Sequence, residues 1–162
     1  CDDYLELVKE RAHGALGDAQ GQASAVAALR AALSVFARLL APFLPYASEE
    51  IWSWFNEGSV HRAPWPESAD VAALAGADAD PDLLGLVGSA LIGVRGAKTA
   101  AKASQKIPVE LAVVRASAAD AARLGLAAND LAAVGRIAEL RIEPADTTEV
   151  TVAEIRLAQS EA

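Results

Sequence analysis

Three observations predict a mainly α protein: a helical bundle followed by a small α/β appendage. Apolar residues recur at three- and four-residue spacing from Tyr4 to Val94, strand-like alternation begins only at Val109, and prolines fall between segments rather than inside them. The boundary is set near residue 106, giving a bundle over 1–105 and an appendage over 106–162.

Residues 1 to about 16 place Tyr4, Leu5, Val8, Ala12 and Ala15 on one side, so a helix is expected, closed by Gly14, Gly17 and Asp18. Lys9 and Arg11 point away from that stripe. Gln20–Leu40 is the strongest helix, because Val26, Leu29, Leu33, Phe36 and Leu40 keep a lengthwise packing pattern. Pro42 and Pro45 end it: neither donates a backbone hydrogen bond, and Pro45 drives Leu44 out of the helical region. Ser48 is then expected to cap a new helix, with Glu49 and Glu50 in its first turn and Ile51, Trp52 and Phe55 on its buried face.

Gly58, Pro64 and Pro66 forbid a helix over 58–66, which is expected to run extended with His61 and Trp65 as anchors. Residues 67–81 read as a loop or a weak, mobile helix. Asp78, Asp80 and Asp82 flank Pro81 at the next helix start, where carboxylates partner a helix dipole sooner than a metal. That helix, from Asp82 to about Ser104, is apolar at first through Leu83, Leu84, Val87, Leu91 and Val94. Gly96 weakens it by about 1 kcal/mol relative to alanine and permits a bend or a close approach.

Pro108 ends that element, and the appendage begins near Lys106. Val109, Leu111 and Val113 alternate with polar or small residues as a strand, and Ser117 with Asp120 starts a capped helix through Leu126. Leu140 and Ile142 mark a second strand; Val150 and Val152, then Ile155 and Leu157, mark a third. The change of parity between Val152 and Ile155 predicts a bulge or a strand end, and Gln159–Ala162 is expected to fray.

The 162 residues suffice for one domain, or one with an appendage, although alanine inflates the hydrophobic share of 53%. No run reaches the roughly 18 apolar residues of a membrane span, and no leader is evident, so a soluble cytoplasmic protein without membrane contact is expected. Cys1 is the single cysteine; with His13 and His61 it makes neither a disulfide nor a zinc site. No phosphate loop and no nucleophile–base pairing appear, so no catalytic residue, metal or cofactor site is expected. A chain without methionine that begins on Cys1 inside a helical pattern is expected to be a piece of a longer protein.

The net charge of −8 opposes a nucleic-acid partner, but its distribution does not. Between Asp82 and Glu110 no acid occurs, while Arg95, Lys98, Lys102 and Lys106 make that window +4 and the remainder −12. On a continuous helix at 100° per residue these four fall within roughly 80° of one another, beside the apolar stripe. They are the candidate phosphate contacts, with Lys9 added from the first helix. Cations at a helix end also complement its dipole, which leaves a purely structural role open.

Leu40-Ala-Pro-Phe-Leu-Pro-Tyr-Ala-Ser-Glu-Glu-Ile-Trp52 resembles the signature of the helical anticodon-binding domain of class I aminoacyl-tRNA synthetases for valine, isoleucine, leucine and methionine. Cys1-Asp-Asp-Tyr-Leu-Glu-Leu-Val-Lys-Glu-Arg11 and Ser59-Val-His-Arg-Ala-Pro-Trp-Pro66 are similar to segments of the valyl-tRNA synthetases; the second also occurs in some isoleucine enzymes. The resemblance covers roughly the first two thirds of the chain. It implies a region that holds the anticodon loop of valine tRNA while a catalytic domain outside this stretch, which uses ATP, carries out aminoacylation. It further implies catalytic and editing domains in the same chain and a monomeric enzyme. The two nucleotide-binding signatures of the class are missing here; Lys102-Ala-Ser-Gln-Lys106 resembles one only superficially. Bacterial members often end in a coiled-coil arm, and no heptads follow Glu149. An isoleucine enzyme with the same bundle, and a helical protein-interaction module with no RNA role, remain the alternatives.

Overall fold

The computed structural model describes residues 2–75 and 79–158, so Cys1, Asp78 and the expected fraying of 159–162 lie outside the described residues. In chain order the helices are α1 (Asp2–Ala12), α2 (Ala19–Leu40), α3 (Pro45–Ser53), α4 (Ser68–Ala75), α5 (Leu83–Ala100), α6 (Ala118–Gly125) and α7 (Ala128–Gly135). The strands are β1 (Val109–Ala116), β2 (Ile137–Pro144) and β3 (Thr151–Leu157), and a 3-10 turn spans Val60–Arg62. The protein is mainly α with a small α/β part, as the sequence predicts. By internal contacts it divides into two units, Ala19–Ala79 and the combination of Cys1–Asp18 with Asp80–Ala162.

The larger unit is built on a sheet of order β2-β1-β3, with β1 parallel to β2 and antiparallel to β3. Val109, Leu111, Ala112, Val113, Val114 and Ala116 of β1 are buried, the near-continuous apolar run of a central strand. Val87, Ala90 and Leu91 of α5 share one core with Val114 and Ala116 of β1, Leu7 of α1, Leu124 of α6 and Leu131 of α7. α5 and the strands thus belong to one compact unit. The stripe that reads as a bundle face on α5 is buried against strands, and periodicity alone does not say which neighbour a face will meet.

Parallel strands need a crossover, and α6 with α7 supplies it. The second of these helices was not anticipated from the sequence. Ser117 caps α6 as expected, its Oγ accepting from the Asp120 amide at 3.1 Å. The predicted bulge is present: Val113 pairs with Glu154 and Val114 with Val152, so Ala153 is the extra residue. The close approach assigned to Gly96 belongs to Gly93, where an added Cβ would sit 2.7 Å from Val152 Cγ2, whereas nothing lies within 4 Å at Gly96. Arg11 meets Asp130 at 2.9 Å and ties α1 to α7; burial raises the Asp130 pKa while Arg11 opposes it.

The smaller unit holds α2, α3, the 3-10 turn and α4, with Ala37, Ala41, Trp52 and Val60 as its buried cluster. Pro45 itself takes the first position of α3, where its fixed φ and missing donor suit a helix start, and Ser48 is buried inside the helix rather than capping it. Glu49 turns to the 3-10 segment, accepting from Ser59 Oγ at 3.0 Å and the Val60 amide at 2.9 Å. Val60 is thus the anchor, while His61 and Trp65 are exposed. Residues 68–75 are helical, and α4 and α2 line one groove through Ala28, Phe36, Val71 and Leu74. The expected core residues Leu33, Phe36, Leu40 and Phe55 are exposed, because Ala37 of α2 and Ala41 just after it are the residues that pack with Trp52 and Val60. By length and composition alone α2 and α5 could each cross a membrane; α5 is the core helix of its unit.

Candidate nucleic-acid interface

Val87, Leu91, Val94 and Lys98 follow one another at four, three and four residues, so Lys98 continues the buried face of α5. It is only 2% exposed. Its ammonium donates to three backbone carbonyls, Gln105 at 3.1 Å, Ile107 at 2.9 Å and Gly135 at 3.0 Å, which uses all its donors. Burial, and then the Arg136 guanidinium, press its pKa below the ordinary lysine value; the carbonyls favour the protonated form. This corrects the expectation of a surface cation: a buried ammonium bonded in this way cannot meet an external phosphate.

The helix stops at Ala100, so the four cations do not form one helical strip. The Lys102 amide donates to Thr99 O at 2.9 Å and the Ala103 amide to Lys98 O at 2.9 Å, with Lys102 in a left-handed conformation at φ 54°. Corresponding bonds close α1, from Gly14 to Arg11 O and Ala15 to Glu10 O, with glycine at the left-handed position. Lys102 and Lys106 are exposed on the turn leaving α5, and Arg95 is exposed on the helix itself. The side-chain amide of Gln105 donates to Arg95 O at 3.2 Å and folds the turn back on the helix.

Arg136 joins them. It follows α7 at φ 54°, is exposed, and its Nη1 donates to Lys106 O at 3.2 Å. Sequence reasoning missed it, because α7 itself was not anticipated and nothing else places residue 136 beside residue 106. Lys9 is exposed on α1, and no hydrogen bond or ion pair joins it to the others among the described residues.

Among the described residues Arg95, Lys102, Lys106 and Arg136 form no ion pair, whereas Arg11, Arg115, Arg123, Arg141 and Arg156 each meet a carboxylate. Asp80, before α5, is turned to Arg123 and not to this turn, accepting from its Nε at 2.6 Å and its Nη2 at 2.8 Å. Cations clustered without carboxylate partners attract phosphates, even on an acidic body. In the smaller unit Trp54 and Trp65 are 67% and 60% exposed, rings of the kind that stack on unpaired bases.

Residues 1–113 match the family model described as the anticodon-binding domain of tRNA ligase. Among similar proteins, the valine--tRNA ligase of Leifsonia xyli subsp. xyli is 55% identical over 160 residues, covering 99% of this chain and 18% of that protein. The valine--tRNA ligase of Thermobifida fusca is 47% identical over 161 residues, covering 99% of this chain and 18% of that protein. That of Salinispora tropica is 45% identical over 160 residues, covering 91% and 18%. The chain thus spans about 18% of the length of these relatives.

Proposed function

Because the chain belongs to the anticodon-binding domain family of tRNA ligases, we propose that it holds the anticodon loop of valine tRNA for a longer valine--tRNA ligase. The bound tRNA would present its distant acceptor end to catalytic and editing domains of the same chain, where ATP drives aminoacylation. The observation that carries this reading is the match over residues 1–113, joined to the similarity with three valine--tRNA ligases. Arg95, Lys102 and Lys106 are the phosphate contacts, exposed and without carboxylate partners; Lys9 is a further contact on α1. Lys98 is no longer among them.

Phe43 and Tyr46, 79% and 90% exposed, offer apolar surface that the other domains of such an enzyme would cover. A monomeric cytoplasmic enzyme accords with this function. The test is an NMR titration of the isotope-labelled chain with anticodon stem-loops of valine and isoleucine tRNA. The expected result is shifts at Arg95, Lys102 and Lys106 with the valine loop, at lower concentration than with the isoleucine loop. Equal responses to both would remove the valine assignment, and shifts confined to other residues would remove the contacts named.

A further inference from the structure

Two cations of the turn region occupy backbone positions that suit glycine. Lys102 closes α5 and Arg136 follows α7, both at φ 54°, a conformation disfavoured for residues with a Cβ. At the corresponding position after α1 the chain has Gly14. Between these two positions lies the Lys98 ammonium. Its bonds to Gln105 O and Ile107 O hold the turn leaving α5, and its bond to Gly135 O holds the residue before Arg136. Two more bonds close the same assembly, from Arg136 Nη1 to Lys106 O at 3.2 Å and from the Val109 amide to Arg136 O at 2.8 Å. All of these residues belong to the larger unit.

We infer that Lys98 is a positioning residue, which locks two turns together so that Lys102, Lys106 and Arg136 meet an RNA backbone as one preorganised cationic patch. Arg136 is a phosphate contact in that patch. The inference rests on the tRNA-binding reading and adds to it a member and a mechanism. A flexible turn would lose conformational freedom on binding RNA; a turn already held by an internal ammonium loses less, so the same surface charges bind more tightly. The left-handed positions are kept by residues whose side chains serve the surface, at the expense of backbone ease.

The test measures affinity of the 162-residue chain for valine tRNA over a series of salt concentrations, together with thermal midpoints of each variant. Lys106→Ala checks the underlying reading. Arg136→Asn keeps a residue that tolerates the left-handed backbone and removes the charge; it is expected to weaken binding roughly three- to tenfold at low salt and to lower the log–log salt slope by about 1. Lys102→Gly is expected to hold or raise the thermal midpoint while weakening binding similarly, opposite signs that a merely structural lysine would not produce. Lys98→Met removes no surface charge, yet is expected to lower both affinity and salt slope at temperatures where it stays folded. If Lys106→Ala weakens binding but Arg136→Asn and Lys102→Gly do not, the patch inference is overturned and the reading stands. If the wild-type chain shows no salt-dependent binding, both are overturned. Should Lys98→Met not fold, the other two variants still decide membership of the patch, and an unchanged slope for both overturns the inference.

Discussion

Asp80 and Arg123 meet through two bonds, and Arg123 also reaches Asp120 at 3.0 Å. The guanidinium holds the Asp80 carboxyl below its ordinary value of 3.8, more strongly than burial raises it. The unfolded chain therefore takes up this proton first on acidification, so the pair contributes stability above that value and loses it as pH falls through the depressed one. Urea midpoints measured from pH 6 downward, roughly to pH 3, should fall more steeply for the wild type than for Asp80→Asn. Parallel curves would show that this pair does not set acid stability. Lys98 was legible in part. Its charge placed it with Arg95, Lys102 and Lys106, but its spacing from Leu91 and Val94 already put it on the buried stripe. What sequence could not show was the three carbonyls, which arrive from a turn and from a helix end distant in the chain.

At the scale of the element, α5 contains two glycines with opposite expected responses. Gly96 is exposed with open space at its Cβ position, so Gly96→Ala should stabilise by about 1 kcal/mol, the intrinsic helix preference. Gly93 faces Val152, and Gly93→Ala should destabilise by roughly 1–3 kcal/mol through overpacking. Equilibrium urea unfolding of both variants checks the pair; destabilisation at Gly96 or none at Gly93 would contradict the packing of α5 on β3. Local chemistry was readable where a signal is short-range. The Ser117 cap and the parity change around Ala153 both appear as expected. The end of α5 was not, because Lys102 stands where glycine usually announces a helix stop. The α7 helix was missed for a related reason: it is only 8 residues long, and Ala127 precedes it without a side-chain cap to announce its start.

For the whole molecule, the charge of −8 and the +4 window between Asp82 and Glu110 survive folding in altered form. One of those four cations turns inward, and Arg136 joins the three that remain outside. The family was legible in the proline-punctuated corner around Pro42 and Pro45, whereas the placement of α5 was not, since it depends on burying its apolar face against strands. Long-range phosphate attraction by a local cluster on an acidic body should depend steeply on salt. The most direct test of the central claim is the slope of log affinity against log salt for valine tRNA, compared between the wild-type chain and the triple variant Arg95→Ala, Lys102→Ala, Lys106→Ala. Loss of three phosphate contacts should reduce the magnitude of the slope by about 2–3; an unchanged slope would show that the RNA backbone meets some other surface.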